Sequence, residues 1–178
     1  MSESELDSLR FPIGKFEPKP YSDAERETRL LHLSLLPRRV ESALQNLDAA
    51  QLATPYREGG WTVHQLVHHV ADSHMHAYAR VKLALTEVDP EVKTYHQGGW
   101  VGLPDVEQLP VNNALTLLHT LHERLHVLGS SLQAADWERG YVVPQVGRRT
   151  LWDHFGLYAW HGEHHVAHIE GLRRRMGW

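Results

Sequence analysis

The chain has 178 residues, 42% of them hydrophobic, enough for one domain (1–178) with a full-sized core. Its formal net charge of -4 and pI near 6.4 offer no electrostatic grip on nucleic acid. The absence of cysteine excludes disulfides, thiolate metal ligands and a cysteine nucleophile. The acidic start has no apolar run behind it and no segment approaches bilayer length, so no membrane role and a cytoplasmic location are expected.

Residues 1–21 carry Pro12, Pro18 and Pro20 with little periodicity and read as an extended arm across the domain. Ser22 with Glu25 has the form of a capping box and opens a first helix through Leu30, Leu33 and Leu36. Pro37 is expected to kink or break that helix. Helical spacing resumes at Val40, Ala43, Leu44 and Leu47. Asp48 to Gln51 suits a short capped turn, and Thr54 to Gly60 a loop. Thr62 with Gln65 is a second capping box, starting a helix that runs to about Glu87.

At about 100° per residue, the inward face of this second helix holds Leu66, His69, Ser73, His76, Ala77 and Arg80, while His64 and His68 point elsewhere. His69 is the inward candidate for chemistry. The alternative is a core histidine bonded to Ser73 or a backbone carbonyl. Residues 88–110, rich in Gly and Pro, form a long irregular connection in which Tyr95, His96 and Trp100 either line a site mouth or simply pack the loop. A third helix is predicted from Val111 to Leu132, with its apolar stripe at Leu118, Leu121, Leu125 and Leu128. His119, His122 and His126 share a different face and read as a solvated or subunit-facing surface. Tyr141 to Val143 with Gly147 suggests a small hairpin, and Thr150 with Asp153 starts a final helix that reaches about Arg175. Four long helices with two sizeable connections argue for an all-α four-helix bundle.

The chemistry concentrates in the final helix. His161, His165 and His168 line one side, with His164 at its edge and Tyr158 and His154 on the same stripe. Burying several imidazoles together needs partners, and a divalent metal is the simplest shared one. His161 and His165 at i, i+4, met by His69 from the second helix, make a three-histidine site that keeps a position open for water or substrate. No His-Glu-x-x-His, no Gly-x-Ser-x-Gly and no phosphate loop is present, which argues against zinc-protease, serine-hydrolase and nucleotide chemistry.

Gly59-Gly60-Trp61-Thr62-Val63, His68-His69-Val70-Ala71-Asp72-Ser73-His74-Met75, Leu83 to Glu87, and Tyr158 to Ile169 together resemble the YfiT branch of the DinB-like superfamily, as does Phe11 to Phe16 near the start. The resemblance implies an up-up-down-down four-helix bundle, usually a homodimer. It implies one zinc or nickel ion held by three histidines, which fall here on His69, His161 and His165. It also implies either transfer of a low-molecular-weight thiol such as bacillithiol to an electrophilic small molecule, or metal-dependent hydrolysis by activated water. A third reading is a metal-binding stress module without turnover, its metal closed off by His76 or His168. Position 76 departs from the expected small polar residue, so His76 is either a fourth ligand or part of an altered pocket. Arg80, further along the inward face, is placed to pair with a carboxylate of the thiol, and Tyr158 to line the substrate pocket; a surface or interface salt bridge is the alternative for Arg80.

Overall fold

The structure, a computed structural model, describes residues 3–178. The N-terminal arm is extended only in part. Glu3–Arg10 form a short helix, α1, packed on the last helix of the chain, with Leu6 and Leu9 as its half-buried edge. From Phe11 the prolines keep the arm irregular as far as α2, Asp23–Leu44. The Ser22 hydroxyl accepts from Glu25 N at 3.2 Å, but the Glu25 side chain turns to Lys19 and Arg29 instead of closing the box.

Pro37 does not break α2, which runs on through it to Leu44. Proline removes the donor to the carbonyl four residues back, here Leu33. His122 reaches over from another helix and supplies one, with Nδ1 2.5 Å from Leu33 O. The helix therefore continues because its lost hydrogen bond is replaced from outside.

α3 (Ala49–Leu52) and α4 (Val63–Thr86) both begin with the expected reciprocal capping boxes, Asp48 with Gln51 and Thr62 with Gln65. Two short helices, α5 (Gln97–Trp100) and α6 (Pro104–Gln108), lie in the long connection before α7 (Val111–Ser131). A 3-10 turn at Ala134–Glu138 leads to a two-stranded antiparallel hairpin, β1 (Gly140–Val143) and β2 (Gly147–Thr150). Thr150 caps α8 (Leu151–Met176), and Gly177 ends it in the left-handed region at φ 73°.

The four long helices form the expected bundle. Their directions, however, run up, down, down, up. Arg29 meets Trp152, Leu36 meets Gly162 and Ala43 meets Arg173, so α2 and α8 are parallel. Leu30 meets Gly129 and Glu41 meets His119, so α2 and α7 are antiparallel. His74 meets His122 and Tyr78 meets Arg124, so α4 runs with α7. His69 meets His165 and Arg80 meets Tyr158, so α4 opposes α8. The up-up-down-down order is thus corrected. The reason lies in the loops: the α4–α7 connection is the one that travels the length of the bundle. It leaves beside the hairpin, where Val92 N bonds Val142 O, and arrives at the start of α4, where His64 Nε2 meets Val106 O.

The apolar core falls into two clusters. One gathers around Trp137, Tyr141, Leu151 and Phe155, the other around Leu36, Leu66, Leu118 and Ile169. On each of α4, α7 and α8 the change from one cluster to the other is marked by buried or half-buried histidine: His74 on α4, His122 on α7, His161 and His165 on α8. A layer of imidazole crosses the middle of the bundle.

Gly162 lets α8 approach α2 at that layer, since a Cβ there would collide with the Leu36 side chain. Gly162→Ala is expected to destabilise the protein by about 1–3 kcal/mol through overpacking. Urea unfolding checks this, and Leu36→Ala in the same chain should recover part of the loss.

Candidate metal centre

His69 of α4 and His161 and His165 of α8 converge, each offering a ring nitrogen within 4.8 Å of the other two. The capping box at Thr62 sets the start of α4 and so the phase that turns His69 inward. The i, i+4 spacing on α8 does the same for the pair. His161 Nε2 and His165 Nε2 stand 3.1 Å apart. The His69 ring meets His165 edge-on with centroids 5.1 Å apart, and His161 at 5.5 Å. His69 and His165 are buried and His161 is half-buried.

Burial pushes His69 down to about 4. It pushes His161 and His165 well below the ordinary range, with the neighbouring imidazoles adding to the effect. The three rings are thus neutral at pH 7, the form that binds metal. Their hydrogen-bond partners are themselves neutral: Tyr95 OH at 3.4 Å from His69 Nδ1, His74 Nε2 at 3.2 Å from His161 Nδ1, and His168 Nδ1 at 3.3 Å from His165 Nδ1. No carboxylate hydrogen-bonds to the triad among the described residues. Two imidazole nitrogens about 3 Å apart fit a shared ion about 2.1 Å from each. The residues present therefore suit a divalent metal.

A second convergence, His164, His165 and His168, shares His165 with the first. His168 is tied through Nε2 to Arg10 O at 3.2 Å, and His164 stacks on Trp160 at 4.5 Å with its Nδ1 unpartnered. His168 does not close off the triad but backs His165.

His76 is drawn away from the triad into an aromatic stack, 4.4 Å from the Tyr95 ring and 5.1 Å from Trp100. Its ring stands outside the convergence of His69, His161 and His165. Tyr95 and Trp100 come from the long connection, which here crosses over α4 and brings an aromatic cover to the triad. His96 stays exposed at the start of α5. Arg80 donates to Tyr158 OH at 3.3 Å and to Lys93 O at 2.9 Å, and the Tyr158 ring lies 5.7 Å from His161. Arg80 is therefore held by these two hydrogen bonds, with no salt bridge among the described residues. Asp72, one turn on from His69, is pushed up to about 6 by burial and by Asp105. A groove under residues 13–19, lined by Phe16, Arg29, Trp160 and Glu163, does not include the triad.

Helical periodicity does not place two residues of the imidazole layer. His74 is fully buried between His122 and His161, and His122, expected on a surface face, is 1% exposed. His119 and His126 do stay outside, His119 beside Glu41 at 2.8 Å. The signal for His122 was present: it falls four residues after Leu118 and three before Leu125, on the edge of the apolar stripe. His74 gives no such signal on its own, because its burial comes from His122 of α7 and His161 of α8 closing on it together.

Residues 32–169 match the model of the DinB superfamily. Relatives from Bacillus cereus (strain 03BB102) and Bacillus thuringiensis subsp. konkukian (strain 97-27), both bearing the name "Putative metal-dependent hydrolase", are 47% identical over 174 residues, covering 97% of this chain and 100% of theirs. A solved structure of YfiT from Bacillus subtilis, described as a probable metal-dependent hydrolase with an unusual four-helix bundle topology, superposes with a TM-score of 0.93 at 40% identity, covering 96% of this chain and 99% of the other.

Proposed function

Since this chain belongs to the DinB superfamily, we propose that it is a metal-dependent enzyme in which His69, His161 and His165 hold one zinc or nickel ion and a low-molecular-weight thiol is transferred to an electrophilic small molecule. The observation that carries the reading is the convergence of three neutral imidazoles, two buried and one half-buried, with no anionic hydrogen-bond partner among the described residues. A divalent ion held by these neutral ligands would keep its full charge and would favour the anionic form of a bound thiol. The thiol proton leaves to solvent, the sulfur forms its bond to the electrophilic carbon, and the leaving group departs with the bonding pair.

The chain's own residues bind and orient. Arg80, held by Tyr158 OH and Lys93 O, retains N–H groups for a carboxylate of the thiol. Tyr158, Tyr95, Trp100 and His76 supply an aromatic wall that limits water around the reacting sulfur.

A second reading, hydrolysis, is favoured by Asp72. A carboxyl group raised to about 6 is suited to take a proton from water near neutral pH. The names of the relatives point the same way.

The test is made on metal-loaded wild-type protein with a bimane or aryl halide electrophile and with activated esters, each with and without added thiol. Thiol-dependent conjugation is the expected result. Ester or amide cleavage without thiol moves hydrolysis ahead. A protein that binds no metal and accelerates neither reaction overturns both readings.

A further inference from the structure

We propose that His74 and His122 are positioning residues which, resting on the carbonyl of Leu33, fix the tautomer of His161 so that its Nε2 is bare and aimed at the metal; this rests on the assignment of His161 as a ligand. The series begins at Pro37. Having no N–H, Pro37 leaves the carbonyl of Leu33 without its helical donor. His122 Nδ1 lies 2.5 Å from that oxygen. A carbonyl only accepts, so His122 carries its proton on Nδ1.

The rest follows ring by ring. His122 is buried with no acidic partner and stays neutral, so its Nε2 is bare and must accept. His74 Nδ1 lies 2.8 Å away and therefore carries a proton. His74 Nε2 is then bare, and it faces His161 Nδ1 at 3.2 Å. His161 must donate from Nδ1, which leaves a lone pair on Nε2. One acceptor-only oxygen thus dictates the protonation pattern of three rings in succession.

A shorter series does the same for His165. His168 Nε2 donates to Arg10 O at 3.2 Å, its Nδ1 accepts from His165 Nδ1 at 3.3 Å, and His165 Nε2 is bare. The nitrogens that face each other at 3.1 Å, His161 Nε2 and His165 Nε2, are then both acceptors with no proton between them. Such a contact repels unless a cation lies against it. Because the longer series ends on a carbonyl, which cannot take up a proton, it orients the ligand and does not conduct. Pro37, out of place in a helix by local rules, is what frees the oxygen at its foot.

Metal-free protein with nitrogen-15-labelled histidine gives the first readout, since long-range proton–nitrogen spectra separate the two neutral tautomers. His74, His122 and His161 are expected in the Nδ1–H form at neutral pH. His74→Phe removes the middle ring at similar volume. In that variant His161 should redistribute between tautomers and zinc affinity should fall about 10–100-fold, with the helical circular dichroism retained. A wild-type His161 protonated on Nε2 overturns the proposal, as does a His74→Phe protein with wild-type tautomer and wild-type zinc affinity. If His74→Phe does not fold, the wild-type spectrum decides alone. Wild-type protein that binds no zinc sinks the metal assignment and leaves the tautomer result readable, so the two failures are distinct.

Discussion

Replacing His165 by alanine is expected to remove the metal and to lower turnover by more than about 100-fold, beyond what the loss of an outer-sphere partner costs. In the proposed site His165 is one of three ligands, so its loss would leave two imidazoles, His69 and His161, for an ion that structural and catalytic sites hold with three or more protein groups. The helix itself should survive, because alanine is the strongest helix former and Val166, Ile169 and Leu172 still anchor that half of α8. The adjacent His164→Ala is the control. His164 stacks on Trp160 and stands outside the triad, so metal content and turnover should stay near wild type. Metal content by mass spectrometry and circular dichroism on both variants make the comparison. A His165→Ala protein that keeps its metal, or a His164→Ala protein that loses it, contradicts the assignment.

Metal-free protein is expected to lose stability steeply as pH falls from about 6.5 toward 4. Burial pushes His122 down to about 4 and His154 to about 3, against about 6.5 in an unfolded chain. Above 6.5 both rings are neutral folded or unfolded, and the native state has its full stability. Below 6.5 the unfolded chain takes up protons that the native state refuses until about 4, so acid draws the equilibrium toward unfolding. Two groups give a slope of roughly 3 kcal/mol per pH unit around pH 5. Every other shifted histidine of the bundle moves in the same direction, so this is the lower end. Urea unfolding followed from pH 7 to pH 5 measures it. A slope under one proton per molecule would mean that the rings are not neutral and enclosed in the native state.

Much of this protein is local in origin and was legible in its residues. Thr62 with Gln65, Asp48 with Gln51, and Thr150 with Asp153 each start a helix where expected, because a cap is a bargain between residues three apart. The i, i+4 pair His161/His165 and the inward phase of His69 follow from helical periodicity alone, and the structure brings the three together. The N-terminal helix Glu3–Arg10 is not legible in the sequence, because its few apolar residues acquire a helical face only when α8 is there to receive them.

The remaining features depend on a neighbour that no local pattern names. The order of helix directions turns on which connection travels the length of the bundle, and residues 88–110 do so by docking on the hairpin at one end and on α4 at the other. Pro37 breaks α2 by every local rule, yet a donor from a residue 85 positions away in sequence keeps the helix whole, as the pairing of Leu33 with His122 shows. His74 and His122 look like surface or spare histidines until α4, α7 and α8 are set side by side. Periodicity determines which residues share a face; only packing decides which faces meet, and hydrogen bonds between buried rings exist only once they do.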